Sequence, residues 1–271
     1  MSGFPTSSEI QSWFPQRWSE IAGNRELVAV WKEFILNGPS NTLFTGPSRT
    51  GKTRTIQLGL CALACTNRTE TLDPCGSCKA CKITFQGRTD HGWLFSSLAG
   101  SEYSFFPVDC GRVTVDQLEN LDDHIDLESN KSIIYLDEIA AIKERKLERH
   151  LRKVVDESPA IWFGSAISLK RKRSRKTGKI VEKISEEMML RFPTKVGTSF
   201  PHPVDLEAWL EDRCRAWNIS IADKEQTIPE MISRAKYRVG VLLHLFTNAA
   251  MRSDRTISLE LVRNHNFSAK D

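Results

Sequence analysis

The chain has 271 residues, 40% of them apolar and 27% charged, with a net charge of +4. That apolar share excludes wholesale disorder, and the length suits one large domain or a domain plus a smaller one. No apolar run approaches the ~20 residues needed to cross a bilayer, and the first residues, MSGFPTSSEI, have neither a basic nor an apolar stretch. The expectation is a cytoplasmic protein with no membrane partner.

In chain order, residues 1–24 read as an irregular arm rich in aromatic, Pro and polar residues. Leu27, Val30, Trp31, Phe34 and Ile35 recur at helical spacing and predict a helix over Glu26 to Leu36, which Asn37-Gly38-Pro39-Ser40-Asn41 ends. A short strand over Thr42 to Thr45 leads into GPSRTGKT, then a helix from Lys52 to about Cys65. The next strand is Ser132 to Leu136, followed by Asp137 and Glu138. A charged amphipathic helix spans Lys143 to Val155, and Ala160 to Gly164 reads as a buried strand. Strands alternating with helices imply a parallel sheet covered on both faces. After Pro203 the pattern is helical only, near 204–217, 227–235, 238–252 and 258–265, with no strand between. The expectation is an α/β domain over 1–200 and a small all-helical one over 201–271.

Gly46-Pro47-Ser48-Arg49-Thr50-Gly51-Lys52-Thr53 fits the phosphate-loop pattern G-x-x-x-x-G-K-[ST]. The glycines allow a tight backbone whose N–H groups converge on phosphate oxygens, and the following helix adds its positive dipole end. Lys52 would reach the β- and γ-phosphates of ATP and the Thr53 hydroxyl would hold Mg²⁺. Asp137 and Glu138 stand at the C-terminal end of a buried strand, the edge where open α/β sheets bind ligands. Asp137 would hold Mg²⁺ through water and Glu138 would act as general base; the plain alternative is an acidic helix start.

Seven cysteines occur. Cys65, Cys75, Cys78 and Cys81 give C-x9-C-x2-C-x2-C over 65–81, a donor set for a closed, structural Zn²⁺ site. Cys61, one helical turn before Cys65, is an alternative fourth ligand, and unmetallated surface thiols are the plain reading.

The order of these motifs resembles the AAA+ module of the bacterial DNA polymerase III clamp-loader motor subunit, tau/gamma, and more distantly replication factor C subunits. The likeness runs from about Trp13 to the C-terminus. Pro15-Gln16-Arg17-Trp18-Ser19-Glu20-Ile21-Ala22-Gly23-Asn24 resembles the family's leading segment, which contacts adenine. The knuckle inserted after the first helix, Val108-Asp109 with Val113-Thr114-Val115, and Asp137-Glu138 also fit. The resemblance implies an AAA+ P-loop fold with a helical lid, acting as a ring or spiral of like or related subunits on DNA. It also implies a sliding clamp, or another replication or recombination protein, as partner. Where the family has Ser-Arg-Cys, this chain has Leu190-Arg191-Phe192, making Arg191 the candidate arginine finger for a neighbour's ATP. Ser165, in Gly164-Ser165-Ala166, falls at the first sensor position. Arg238 is the nearest match to the second sensor. The chain ends where the family's collar would begin, which leaves the ATPase reading intact and opens the specific task.

Between Ser165 and Arg191 the chain is longer than the family's. The excess holds KRKRSRKTGK, where Lys170, Arg171, Lys172, Arg173, Arg175, Lys176 and Lys179 are seven basic residues in ten. Subtracting them from the net charge leaves −3, so the positive charge is local. Such clusters bind phosphate backbones through counterion release, although a solvated loop has the same composition. The run has no aromatic residue to stack on bases. Trp13, Phe14, Trp18, Trp31 and Trp93 read as packing residues. Residues 91–106 read as an aromatic loop, a partner surface or a cover for the sheet edge. Two other tasks share the motif set: a DNA-binding regulator in a mobile element, phage or defence system, and a non-hydrolysing scaffold like the family's delta-prime subunit.

Overall fold

The computed structural model describes residues 15–86, 103–119, 131–142, 145–167, 172–173, 180–181, 184–253 and 255–264. They fall into two compact bodies, one of Glu26–Pro47 with Thr55–Thr198 and the other of Met1–Arg25, Ser48–Arg54 and Ser199–Asp271.

The first body is built on a five-stranded, all-parallel sheet. Its strands are β1 (Thr42–Thr45), β2 (Tyr103–Asp109), β3 (Lys131–Asp137), β4 (Ile161–Ala166) and β7 (Thr194–Gly197), in the order β2-β3-β4-β1-β7. Two further strands, β5 (Lys172–Arg173) and β6 (Ile180–Val181), pair antiparallel with each other. The helices are α1 (Arg25–Asn37), α2 (Lys52–Ala64), α3 (Lys79–Gln86), α4 (Val115–Glu119), α5 (Arg145–Glu157) and α6 (Glu186–Met189).

Alternation along the strands sends side chains to both faces, and both are buried. Leu43, Ile134, Leu136 and Trp162 join Leu147, Leu151, Val154 and Val155 of α5 in one core. On the other side Phe44 and Phe163 meet Trp31 of α1, with ring centroids 5.7 and 5.2 Å apart. Trp31 also lies on Gly59 of α2, where an added Cβ would come within 2.0 Å of the indole. Gly59→Ala is therefore expected to destabilise the chain by ~1–3 kcal/mol, the usual penalty of overpacking a filled core. An unchanged urea midpoint for that variant would contradict the packing argument.

Local signals set several ends. Arg68 donates to the carbonyls of Ala62, Leu63 and Cys65 and closes the C-terminus of α2. Thr114 and Gln117 exchange side-chain bonds with each other's backbone N–H, a capping box that starts α4.

The second body is mainly helical: α7 (Pro203–Trp217), α8 (Lys224–Arg234), α9 (Val239–Arg252) and α10 (Leu259–Arg263). Leu206, Trp209, Leu210, Met231, Leu242, Leu245 and Phe246 form its core. It departs from the helix-only expectation, because β8 (Ser220–Ile221) and β9 (Thr256–Ile257) pair in parallel between the helices. Two-residue strands carry no periodicity, so no pattern in the sequence announces them. The expected aromatic loop is corrected in part. Tyr103 and Phe105 are buried on β2, and Phe106 packs against the α5-side core, so these three belong to the sheet. Trp93 and Phe95 lie outside the described residues, as do Trp13 and Phe14. Trp18 and Trp31 are buried, as packing residues should be. Among the described residues no helix is long and apolar enough to cross a membrane.

Candidate nucleotide site and cysteine cluster

Within the first body, Gly46, Asp137, Glu138 and Ser165 lie at or just past the ends of the parallel strands β1, β3 and β4. Gly46 leaves β1 with φ +144°, and its N–H donates to the Ala166 carbonyl of β4 at 3.2 Å. A Cβ there would sit 2.1 Å from Thr198 Oγ1, so only glycine fits. Arg49 and Gly51 also have positive φ, the alternation that turns successive N–H groups inward to make an anion cradle. Lys52 opens α2, a 13-residue helix whose N-terminus faces this loop. Pro47 and Ser48 complete the turn, Thr50 and Lys52 are buried, and Thr53 is exposed.

Within the helical body, the residues of the loop have two supports. Asn24 Nδ2 donates to the Thr50 carbonyl at 2.7 Å, and Gly240 N–H donates to the Arg49 carbonyl at 3.0 Å. Arg238 is the N-cap residue of α9, two positions before that donor, with its guanidinium 6.0 Å from the Phe200 ring centroid. The leading segment is fastened at Glu20, whose carbonyl accepts from Trp209 Nε1 and whose carboxylate pairs with buried Arg213. Sequence reading assigned Asn24 no bracing role. Its neighbour Gly23 marks a turn, but nothing local says what the amide touches.

Asp137 ends β3 beside β4. Ser165 Oγ donates to Asp137 Oδ1 at 2.8 Å and accepts from the Glu138 N–H at 3.0 Å. Tyr135, two residues earlier on the same strand face, donates its hydroxyl to Asp137 Oδ1 at 3.0 Å. Burial, then the Asp137 charge, hold the Tyr135 phenol well above its usual range, so it remains a donor. Tyr135 was missed as a site residue, although the two-residue strand period could have found it. Glu138 sits in the left-handed region at φ +51°, and its Oε1 accepts from the Ile167 N–H at 3.2 Å. A non-glycine residue held there is strained, a state that clusters at functional sites. Two hard carboxylates and hydroxyl oxygens suit Mg²⁺ as a donor set.

Arg191 follows α6. Its guanidinium donates to Asp156 of α5 and to the Glu187 carbonyl. Of the basic run, Lys172 and Arg173 form β5, whose backbone alone is described. Lys170, Arg171, Arg175, Lys176 and Lys179 lie outside the described residues.

Cys65, Cys75, Cys78 and Cys81 bring their sulfurs within 4.8 Å of one another. The Cys75–Cys81 and Cys65–Cys78 sulfurs are each 3.9 Å apart. Zn–S bonds of about 2.3 Å at tetrahedral angles place sulfurs about 3.8 Å apart, so the set fits Zn²⁺. Backbone N–H groups of Asn67, Cys75, Cys78 and Cys81 point at these sulfurs, as they do around thiolates in metal knuckles. The Ser77 hydroxyl leads in pushing the Cys75 thiol down to about 6, while burial pushes Cys65 up to about 12. A divalent cation among the sulfurs favours all four thiolates. Cys61 is buried against the cluster but is not one of the four.

Cys78→Ser is expected to lose bound zinc and to lower the melting midpoint by about 4–8 °C, the size of a ~2 kcal/mol loss in a chain somewhat shorter than this one. Cys61→Ser is expected to keep zinc. Metal analysis by mass spectrometry checks both, and zinc retained by Cys78→Ser would contradict the ligand set.

No protein-family profile matches the chain. It is similar over 92% of its length to the RuvB Holliday junction branch migration motor of Thermotoga maritima. That comparison gives a TM-score of 0.58 at 13% identity and covers 70% of the motor chain. A point variant of the same motor gives 0.59 at 13% identity, covering 93% of this chain and 72% of the variant. A stretch of 92 residues is 38% identical to Protein STICHEL-like 2 of Arabidopsis thaliana, covering 31% of this chain and 11% of that protein. With the sheet order, the likeness to the motor structures shows the fold: the motor's AAA+ fold, a central parallel α/β sheet flanked by helices, here with a cysteine cluster able to form a zinc knuckle.

Proposed function

We propose that this chain is an ATP-hydrolysing AAA+ protein that works on DNA as part of a ring or spiral of subunits, in the manner of a clamp loader. The observation that carries the reading is the network at the ends of β3 and β4. Ser165 and Tyr135 hold Asp137, Ser165 holds the backbone of Glu138, and Gly46 is tied to the same β4 end. In this reading the α/β domain over 1–200 binds nucleotide and 201–271 is its lid. Lys52 contacts the terminal phosphates. Thr53 and Asp137 hold Mg²⁺, which would neutralise charge on the phosphates. Glu138 takes a proton from the attacking water, Ser165 keeps Asp137 and Glu138 in register, and Arg238 senses the phosphates from the lid. Arg191 acts on the neighbouring subunit's site.

Action on DNA is supported by the fold likeness to a branch migration motor and by the basic run at 170–179. The clamp-loader task is supported by the sequence resemblance and by the geometry of the cysteine knuckle after α2. A DNA-binding regulator and a non-hydrolysing scaffold are the competing tasks.

ATP turnover titrated with primed DNA, with and without a sliding clamp, tests the proposal. Stimulation by DNA and further stimulation by the clamp is the expected result. DNA stimulation without any clamp effect favours the regulator, and ATP binding without turnover favours the scaffold. Replacing the seven basic residues of 170–179 with Ala is expected to weaken DNA binding and flatten its salt dependence. An unchanged salt slope in filter binding would remove this run from the DNA surface.

A further inference from the structure

Helix α5 carries two stripes. Leu147, Leu151, Val154 and Val155 face the core and dock the helix. Glu148, Arg152 and Asp156 recur every four residues, one per turn, and so share a second face. Each member of this polar stripe meets one residue of the segment that carries Arg191. The Glu148 carboxylate accepts from the Ser185 N–H at 3.2 Å and from the Ser185 hydroxyl. Arg152 pairs with Glu187, and Asp156 pairs with Arg191. Charge is complementary at every rung: acceptor to donors, plus to minus, minus to plus. Ser185 is also the N-cap of α6, accepting from the Met188 N–H at 3.1 Å, so the first rung fixes where that helix starts.

We propose that Glu148, Arg152 and Asp156 form a ladder that sets the pose of Arg191, with Asp156 as the positioning residue for a guanidinium that serves a second copy of this chain. The proposal rests on the reading of Arg191 as a finger in trans. Docking of α5 does not require the ladder, because the apolar stripe already provides it. Partly exposed ion pairs also contribute little to stability, so two of them in register with the Glu148–Ser185 contact on one stripe point to orientation rather than to holding the fold together. The arrangement suits orientation. One guanidinium nitrogen is held by Asp156 and the other by the Glu187 carbonyl, which fixes the plane of the group and leaves further N–H donors for an incoming phosphate. A charge placed in advance stabilises a developing transition state without reorganising at the moment of reaction.

The test uses the full chain and three variants beside wild type: Asp156→Ala, Asp156→Glu and Arg191→Ala. Asp156→Ala is expected to lower kcat for ATP by roughly 10- to 100-fold, the scale of a misplaced reacting group, with KM and ATP affinity within about twofold. Asp156→Glu restores most of kcat. Mixing Asp156→Ala with Lys52→Ala subunits decides whether the effect travels through the finger. Lys52→Ala subunits have an intact ladder, and Asp156→Ala subunits have an intact nucleotide site. The mixture is therefore expected to hydrolyse faster than the sum of its parts. A merely misfolded Asp156→Ala subunit could not be rescued in this way. Wild-type turnover by Asp156→Ala while Arg191→Ala is inactive overturns the ladder and leaves the finger standing. Wild-type turnover by both variants overturns the finger and the ladder together. A mixture no faster than the sum of its parts overturns positioning in trans.

Discussion

Glu138→Gln is expected to lower ATP turnover by at least about 100-fold while nucleotide affinity changes by no more than a few-fold. The substitution keeps the size and the acceptor oxygen that meets the Ile167 N–H, but removes the basicity. The backbone around it should hold, because the Glu138 N–H is tied to Ser165 Oγ and Ser165 is tied to Asp137. The variant therefore separates two roles that most substitutions blur. Loss of a general base removes turnover and leaves the bound state, whereas damage to the strand end would weaken binding as well. Quench-flow measurement of bound ATP and released phosphate reads both quantities. Turnover within tenfold of wild type would mean that another group activates the water.

Arg191→Ala is the second large effect, with an expected loss of roughly 1,000-fold in turnover under conditions where subunits assemble. Asn41 Nδ2 contacts the Arg191 carbonyl, a backbone bond the substitution leaves in place. Arg191 pairs within its own chain to Asp156, an ion pair of small weight for stability, so the variant is expected to fold and to bind ATP normally. A group acting across a subunit boundary has a second signature. Wild-type turnover per subunit should rise with protein concentration, and Arg191→Ala should stay flat. A variant that loses turnover equally at every concentration would place Arg191 in its own chain's chemistry instead.

Much of this was legible because parallel sheets write themselves plainly. Strands buried on both faces read as short apolar runs, so Thr42 to Thr45 coincides with β1, and Ser132 to Leu136 lies inside β3. The phosphate-loop residues and the Asp137-Glu138 pair sit directly at strand ends, and sequence adjacency locates them. The edge strand β7 escaped because Thr194–Gly197 buries only Val196 and so has no apolar run to detect. Helix α3 escaped because its eight residues hold only about two turns, too short a window for a helical period to stand out. The choice between Cys61 and Cys65 needed three dimensions. Cys61 lies on α2 and Cys65 just past its last residue, four positions on, and the way the chain returns at Cys75 brings Cys65 into the set. The contacts that refine the site were least legible. Tyr135 to Asp137, Asn24 to the phosphate loop and Asp156 to Arg191 each join residues whose pairing no local motif records.

The central claim is that the strand-end network is a working ATP-hydrolysis site, and the most direct test is steady-state turnover by purified wild type beside Lys52→Ala, with and without DNA. The account predicts phosphate release by wild type that DNA increases, and a Lys52→Ala rate at the no-enzyme background. Wild-type release no faster than that of Lys52→Ala under every DNA condition would contradict it.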